Sequence, residues 1–205
     1  MKKKSWYAVR QGRKTGLYTT WEECKKQVIG YPNASYKGFY TKEEATAFLQ
    51  EAANSVKECN APISSECVVA YVDGSYITSM PAFFAFGCVI LFRGKIEKYA
   101  DKIKNKELAL MRNVAGEIHG AMFAMKYCIT HQIKEMDLYY DYAGIEKWCI
   151  GEWKTNKNGT KALKAYYDSI KENLTIRFHK VISHTGVKYN EMADQLAKEA
   201  LCRKK

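Results

Sequence analysis

The segment Cys67-Val68-Val69-Ala70-Tyr71-Val72-Asp73-Gly74-Ser75 constrains this chain most. An unbroken apolar run rich in β-branched side chains reads as a strand buried on both faces, so it needs cover on both sides. The run ends in an acid followed by glycine, which puts a carboxylate at the strand's C-terminal end. Residues 82–92 and 95–102 read as two further strands around the turn Arg93-Gly94, which makes a three-stranded meander. Ile118, Met122, Met125 and Ile129 recur at helical spacing. Residues 136–142 and 174–183 read as the fourth and fifth strands, and 161–172 and 189–201 as helices. Strands, helix, strand, helix, strand, helix in that order imply an α/β fold: a five-stranded mixed sheet with flanking helices.

The first fifty residues have a different character. Trp6-Tyr7-Ala8-Val9-Arg10 alternates like a strand, Gly12-Arg13-Lys14-Thr15-Gly16 reads as a turn, and Leu17-Tyr18-Thr19 as a second short strand. Thr20, with Glu23 three residues on, has the form of a capping box opening a helix at Trp21. Residues 35–40 read as a third strand and 41–49 as a second helix capped by Thr41. The expected organisation is a small α+β domain with a three-stranded sheet over residues 1–50, a linker over 51–65 and a larger domain over 66–205.

Charge separates the two parts as well. The chain has a formal net charge of +11, which favours polyanionic partners. Residues 1–50 hold ten Lys and Arg against four Glu, so the head carries more than half of that surplus in a quarter of the length. Aromatic residues alternate with these charges, unlike a plain solvated basic tail. No apolar run approaches the roughly 18–20 residues of a membrane span. Met1-Lys2-Lys3-Lys4 leads into polar sequence rather than an apolar signal core. The seven cysteines form no Cys-x-x-Cys pair, so reduced thiols in a cytoplasmic protein are expected.

Four carboxylates stand out by position. Asp73 ends the first strand of the large domain, Glu117 opens its first long helix, Asp141 ends the fourth strand, and Asp194 lies in the first turns of the last helix. If the first and fourth strands are parallel neighbours, Asp73 and Asp141 stand side by side at their C-terminal ends, where open sheets of this kind place ligands. Gathered acids repel and raise one another's pKa. Divalent cations remove that penalty, and a pair of ions about 4 Å apart can activate water and stabilise a leaving oxygen. His184, in Ser183-His184-Thr185-Gly186 between the fifth strand and Asp194, is placed to move protons beside such a site. His119, His131 and His179 are read as structural.

These contexts carry a resemblance. Tyr71-Val72-Asp73-Gly74-Ser75, Asn113-Val114-Ala115-Gly116-Glu117-Ile118, Tyr139-Tyr140-Asp141, Ser183-His184-Thr185-Gly186 and the run from Asn190 to Ala197 together resemble ribonuclease H of type 1. The N-terminal segment resembles the hybrid-binding, viroplasmin-like domain found on many such enzymes, through Tyr7-Ala8-Val9-Arg10, Gly12-Arg13-Lys14-Thr15-Gly16, Thr20-Trp21-Glu22-Glu23-Cys24 and Tyr36-Lys37-Gly38-Phe39.

The resemblance implies an endonuclease that hydrolyses the RNA strand of RNA–DNA hybrids, with two Mg²⁺ (or Mn²⁺) ions and 5′-phosphate products. It maps metal ligation onto Asp73, Glu117, Asp141 and Asp194, the mobile histidine onto His184, and a minor-groove contact onto Asn113. In the head it maps the aromatic pair and lysine that grip the DNA strand onto Trp21, Tyr36 and Lys37. Arg10 and Lys14 add phosphate attraction of the kind that weakens with salt. The expected partner is an RNA–DNA hybrid bound by a monomer, with no membrane. Tyr142 stands where many members have Ser or Thr, the stretch from Asp141 to His184 is short for a basic protrusion, and Gly38 replaces a second lysine. The same sheet and acids also serve DNA-cutting integrases, transposases and junction resolvases. The full set of four acids, His184 and the hybrid-binding head weigh against that reading, and the presence of all four acids weighs against a non-catalytic hybrid-binding module.

Overall fold

A computed structural model describes residues 5–31, 34–55, 66–182 and 187–203. The segment Ser183–Gly186, with the expected proton-transfer residue His184, lies outside the described residues, as does most of the expected linker. The chain divides into two compact units.

The N-terminal unit has three antiparallel strands, β1 (Trp6–Gln11), β2 (Gly16–Tyr18) and β3 (Ser35–Phe39), in the order β2-β1-β3. Ala8 and Val9 on the central strand are fully buried, and Val9 packs with Cys24 and Val28 of helix α1 (Trp21–Val28). Thr20 caps α1 as expected, its Oγ1 accepting from the Glu23 N–H at 3.3 Å. The other end of α1 is satisfied from the β1–β2 turn. There the Arg13 guanidinium donates to the Lys26 and Ile29 carbonyls at 3.0 and 2.8 Å, which supplies partners that a helix C-terminus lacks. Thr41 accepts from the Glu44 N–H at 3.2 Å and Glu44 accepts in return from the Tyr40 N–H. Helix α2 (Lys42–Ser55) runs six residues past the expected end at Leu49, into the expected linker. Its Ala and Glu content sustains a helix where no Gly or Pro stops it.

The larger unit holds the five-stranded mixed sheet. Its strands are β4 (Cys67–Ser75), β5 (Phe83–Phe92), β6 (Lys95–Lys104), β7 (Glu135–Tyr140) and β8 (Thr175–Lys180), in the order β6-β5-β4-β7-β8. The first three form the antiparallel meander, whereas β4–β7 and β7–β8 pair in parallel. All nine residues of β4 are buried. Val68, Ala70 and Val72 pack in one cluster with Ile118, Ala121 and Met125 of helix α4 (Asn113–Thr130). Tyr71, on the alternate face, meets the Tyr189 ring of helix α7 (Lys188–Cys202) at 5.6 Å. Burying a large aliphatic side chain such as Leu138 or Met125 contributes roughly 1.5–3 kcal/mol, so this two-sided core holds the sheet ends in fixed places.

Several boundaries differ from the sequence reading. Helix α4 begins at Asn113, so Glu117 lies one turn inside it rather than at its start. Strand β7 ends at Tyr140, which leaves Asp141 in the following turn. Strand β8 is shorter at both ends, and helix α6 (Asn158–Ile170) starts three residues early. The short helices α3 (Lys106–Ala109) and α5 (Gly144–Cys149) were not expected. They span only one or two turns, too few for an apolar period to register. None of the described helices is long and apolar enough to cross a membrane.

Candidate active site

Parallel pairing of β4 and β7 aligns Tyr71 with Tyr139, so Asp73 and Asp141 each follow two residues later at the same end of the sheet. Backbone contact brings in the third acid. A Cβ on Gly74 would fall 2.1 Å from the Asn113 carbonyl oxygen, and one on Gly116 would fall 2.1 Å from the Ala85 oxygen and 2.6 Å from the Gly74 Cα. Helix α4 therefore rests directly on the backbone of β4 and β5, a closeness only glycine permits. This contact sets Glu117 beside Asp73. One oxygen from each of Asp73, Glu117 and Asp141 lies within 4.8 Å of the others.

The same device operates on α7. A Cβ on Gly87 would fall 2.0 Å from the Ala193 carbonyl, so α7 too lies against bare backbone just where Asp194 follows. Asp194 is not in the three-carboxylate group. Its Oδ2 accepts from Lys198 Nζ at 2.6 Å, one turn along the helix. Its charge nevertheless reaches Asp73, whose proton affinity it raises.

The cluster is electrostatically costly as it stands. Burial first, then the Asp141 charge, lifts the Asp73 pKa from 3.8 to about 7, although the Gly74 N–H donates to Asp73 Oδ1 at 2.6 Å and Lys198 acts in the opposite direction. Burial, then Asp141 and Asp73, lifts Glu117 to about 9. Glu117 is 5% exposed, and its Oε2 has no hydrogen-bond partner. An orphaned buried carboxylate oxygen among other carboxylates is a strongly unfavourable arrangement without a cation. Hard oxygen donors at this spacing are what Mg²⁺ and Mn²⁺ accept, so the residues fit a divalent metal.

Around this group, Asn113 stands exposed as the first residue of α4. Arg112 before it has φ 55°, a left-handed backbone uncommon for a non-glycine residue. Tyr142 packs its ring 5.6 Å from Trp148 and 6.3 Å from Trp153. Trp148 is buried in α5, while Trp153 is 40% exposed. Tyr142, Trp148, Arg112, Lys154 and Lys157 line a cavity of about 340 Å³. The three described histidines are bonded to the structure: His119 and His131 to the Ala115 and Tyr127 carbonyls, and His179 to Asp137 at 2.6 Å.

In the N-terminal unit Trp21 stands between Tyr7 and Tyr36, with ring centroids 5.7 Å from each. Tyr36 is 42% exposed, and Lys37 and Lys14 are exposed. Arg10 is differently placed. Its Nε donates to the Phe48 carbonyl at 2.6 Å and its guanidinium carbon lies 3.4 Å from the centre of the Phe48 ring, so it ties β1 to α2. Sequence reasoning missed this role, the cap formed by Arg13, and the three glycines that seat α4 and α7. Only Gly87 left a signal, as it interrupts the apolar run Phe83–Phe92, where a glycine inside a strand marks a close backbone approach.

Comparison with known proteins bears on this geometry. The family profile described as RNase H matches residues 65–202, two thirds of the chain. The chain belongs to the ribonuclease H family. Membership makes it an endonuclease, a hydrolase of a divalent-metal-dependent class. A second profile, the ribonuclease H1 N-terminal domain, matches residues 5–49. The chain is 27% identical to ribonuclease H1 of Homo sapiens over 94% of this chain and 88% of that protein. Among solved structures it is similar to ribonuclease H1 of the archaeon Halobacterium salinarum, with 25% identity and a TM-score of 0.54 over 66% of this chain and 97% of that one. It shares its fold with LC11-RNase H1, solved in complex with an RNA/DNA hybrid, at 19% identity and a TM-score of 0.52, covering 65% of this chain and 96% of that one.

Proposed function

We propose that this ribonuclease H hydrolyses the RNA strand of RNA–DNA hybrids, leaving 5′-phosphate products, and that its N-terminal domain tethers the hybrid. The observation that carries the reading is the group of Asp73, Glu117 and Asp141, within 4.8 Å of one another around a buried, unpartnered carboxylate oxygen. These three and Asp194 would hold two Mg²⁺ (or Mn²⁺) ions, which supply an activated water and stabilise the departing 3′-oxygen. Burial and the neighbouring carboxylates raise the proton affinity of Asp73 and, further, of Glu117, so binding a cation there would release protons from these carboxyl groups. Asn113 donates or accepts at the minor groove, where the 2′-hydroxyls of the RNA strand are displayed. His184 relays a proton to or from solvent as the product leaves.

In the head, the Trp21 and Tyr36 faces stack on deoxyribose rings, which lack an obstructing hydroxyl, while Lys37 and Lys14 attract phosphate. Arg10 adds charge at longer range, because its fork is already engaged with Phe48. A monomer working in the cytoplasm completes the reading. The six described cysteines, all free thiols, support a reducing setting.

The test is strand-labelled cleavage of an RNA–DNA hybrid, duplex DNA and duplex RNA, each with Mg²⁺ or EDTA. Metal-dependent cutting confined to the RNA strand of the hybrid is expected. Cutting of duplex DNA, or binding without cutting, refutes the reading.

A further inference from the structure

The fourth carboxylate is already taken. Asp194 is bonded to Lys198 at 2.6 Å, while the other three acids gather without it. Lys198 is half exposed, and its ammonium is also close enough to Asp73 to favour that residue's charged form. Helix geometry explains the pairing: residues four apart share a face, and the acid N-terminal to the lysine is the favourable order. Helix α7 is pinned to β5 at Gly87 and Ala193, so Asp194 has no freedom to escape Lys198 by shifting the helix. A rotation of the flexible lysine side chain suffices to free it.

We infer that Lys198 is a built-in competitor of the divalent cation at Asp194: its ammonium occupies the fourth carboxylate until metal displaces it, and so sets the metal concentration at which the site fills. The inference rests on the metal reading given above. Lys198 acts through Asp194 and is a positioning residue rather than a catalytic one. Two effects add. Metal loading must break the Asp194–Lys198 pair, and the displaced ammonium remains nearby as a positive charge that repels the incoming cation. Both weaken the metal site, and both disappear when the ammonium is removed. The compensating benefit is a metal-free protein in which one acid of the cluster is neutralised.

The experiment uses the full chain and titrates Mn²⁺ or Mg²⁺ by calorimetry, without substrate, into the wild type, Lys198→Met and Lys198→Arg. Methionine keeps the length and helix propensity of lysine without its charge. Loss of a half-exposed competing charge predicts roughly three- to tenfold tighter metal binding in Lys198→Met. The Mg²⁺ concentration giving half-maximal cleavage shifts downward by the same factor, and Lys198→Arg stays near the wild type. A general loss of helix packing would instead weaken binding in Lys198→Met. Unchanged or weaker metal binding in Lys198→Met, beside a wild type that binds, overturns the inference alone. Absence of metal binding in the wild type overturns the metal reading with it.

Discussion

Replacing Asp73 by Asn isolates the cost of assembling acids before a cation arrives. In the folded chain the Asp73 pKa is lifted from 3.8 to about 7, mainly by burial and then by the Asp141 charge. The folded state therefore binds this proton more tightly than the unfolded state does. A raised carboxylate pKa contributes nothing below pH 3.8, erodes stability as pH rises towards 7, and keeps its full cost above that. At about 1.4 kcal/mol per pH unit the full cost is roughly 4 kcal/mol. The carboxamide keeps the shape and an oxygen for the Gly74 N–H, and the charge assistance of that bond is already counted in the shift; fitting the new amide N–H group into the buried site costs roughly 1–2 kcal/mol. The expected result is that metal-free Asp73→Asn is more stable than the wild type by about 2–3 kcal/mol at pH 8. Near pH 4 only that fitting cost remains, so the variant is the less stable of the two. For a domain of this size the gain at pH 8 is roughly 6–9 °C in melting temperature. Thermal and urea denaturation in EDTA at both pH values measures it. Equal stability at pH 8, or a variant less stable there than the wild type, would refute the electrostatic argument. Cleavage by the variant is expected to be lost, so stability and activity move in opposite directions.

Asp141→Asn is expected to abolish cleavage while hybrid affinity, measured by fluorescence anisotropy in EDTA, stays within a few-fold of the wild type; unchanged activity would remove Asp141 from the site. Trp21→Ala is expected to slow cutting of long hybrids more than short ones, because only a long duplex reaches both domains; equal slowing on both would show that the head does not tether. Gly74→Ala puts a Cβ 2.1 Å from the Asn113 oxygen, so α4 must lift off the strand. A loss of roughly 3 kcal/mol in stability by urea denaturation is expected, with weaker metal binding, and wild-type values for both would show that the crossing does not set the site.

The local patterns of the large domain were legible because they are written in neighbouring residues. A β-branched run reads as a buried strand wherever it sits, so most of β4 followed from neighbouring letters, but the strand runs two residues past Asp73, its expected end, because Gly74 and Ser75 still pair with β5. The capping threonines Thr20 and Thr41 were legible for the same reason, their partners being three residues away. The short helices α3 and α5 escaped because one or two turns carry too little periodicity, and α2 overran its expected end because nothing in its sequence breaks a helix.

The chain's sequence by itself determined which residues carry charge, which segments must be buried, the order of strands and helices, and the basic character of the head. Tertiary structure alone decided that Glu117 is buried with an orphaned oxygen, that Asp194 stands outside the three-acid group, and that Arg10 is spent on Phe48. The reason is distance along the chain. Asp73, Glu117 and Asp141 meet only where β4, β7 and α4 converge, and that convergence depends on bare backbone at Gly74 and Gly116 touching across more than forty residues. Burial and mutual repulsion, which make the cluster a site for cations, are properties of that meeting and of no single segment.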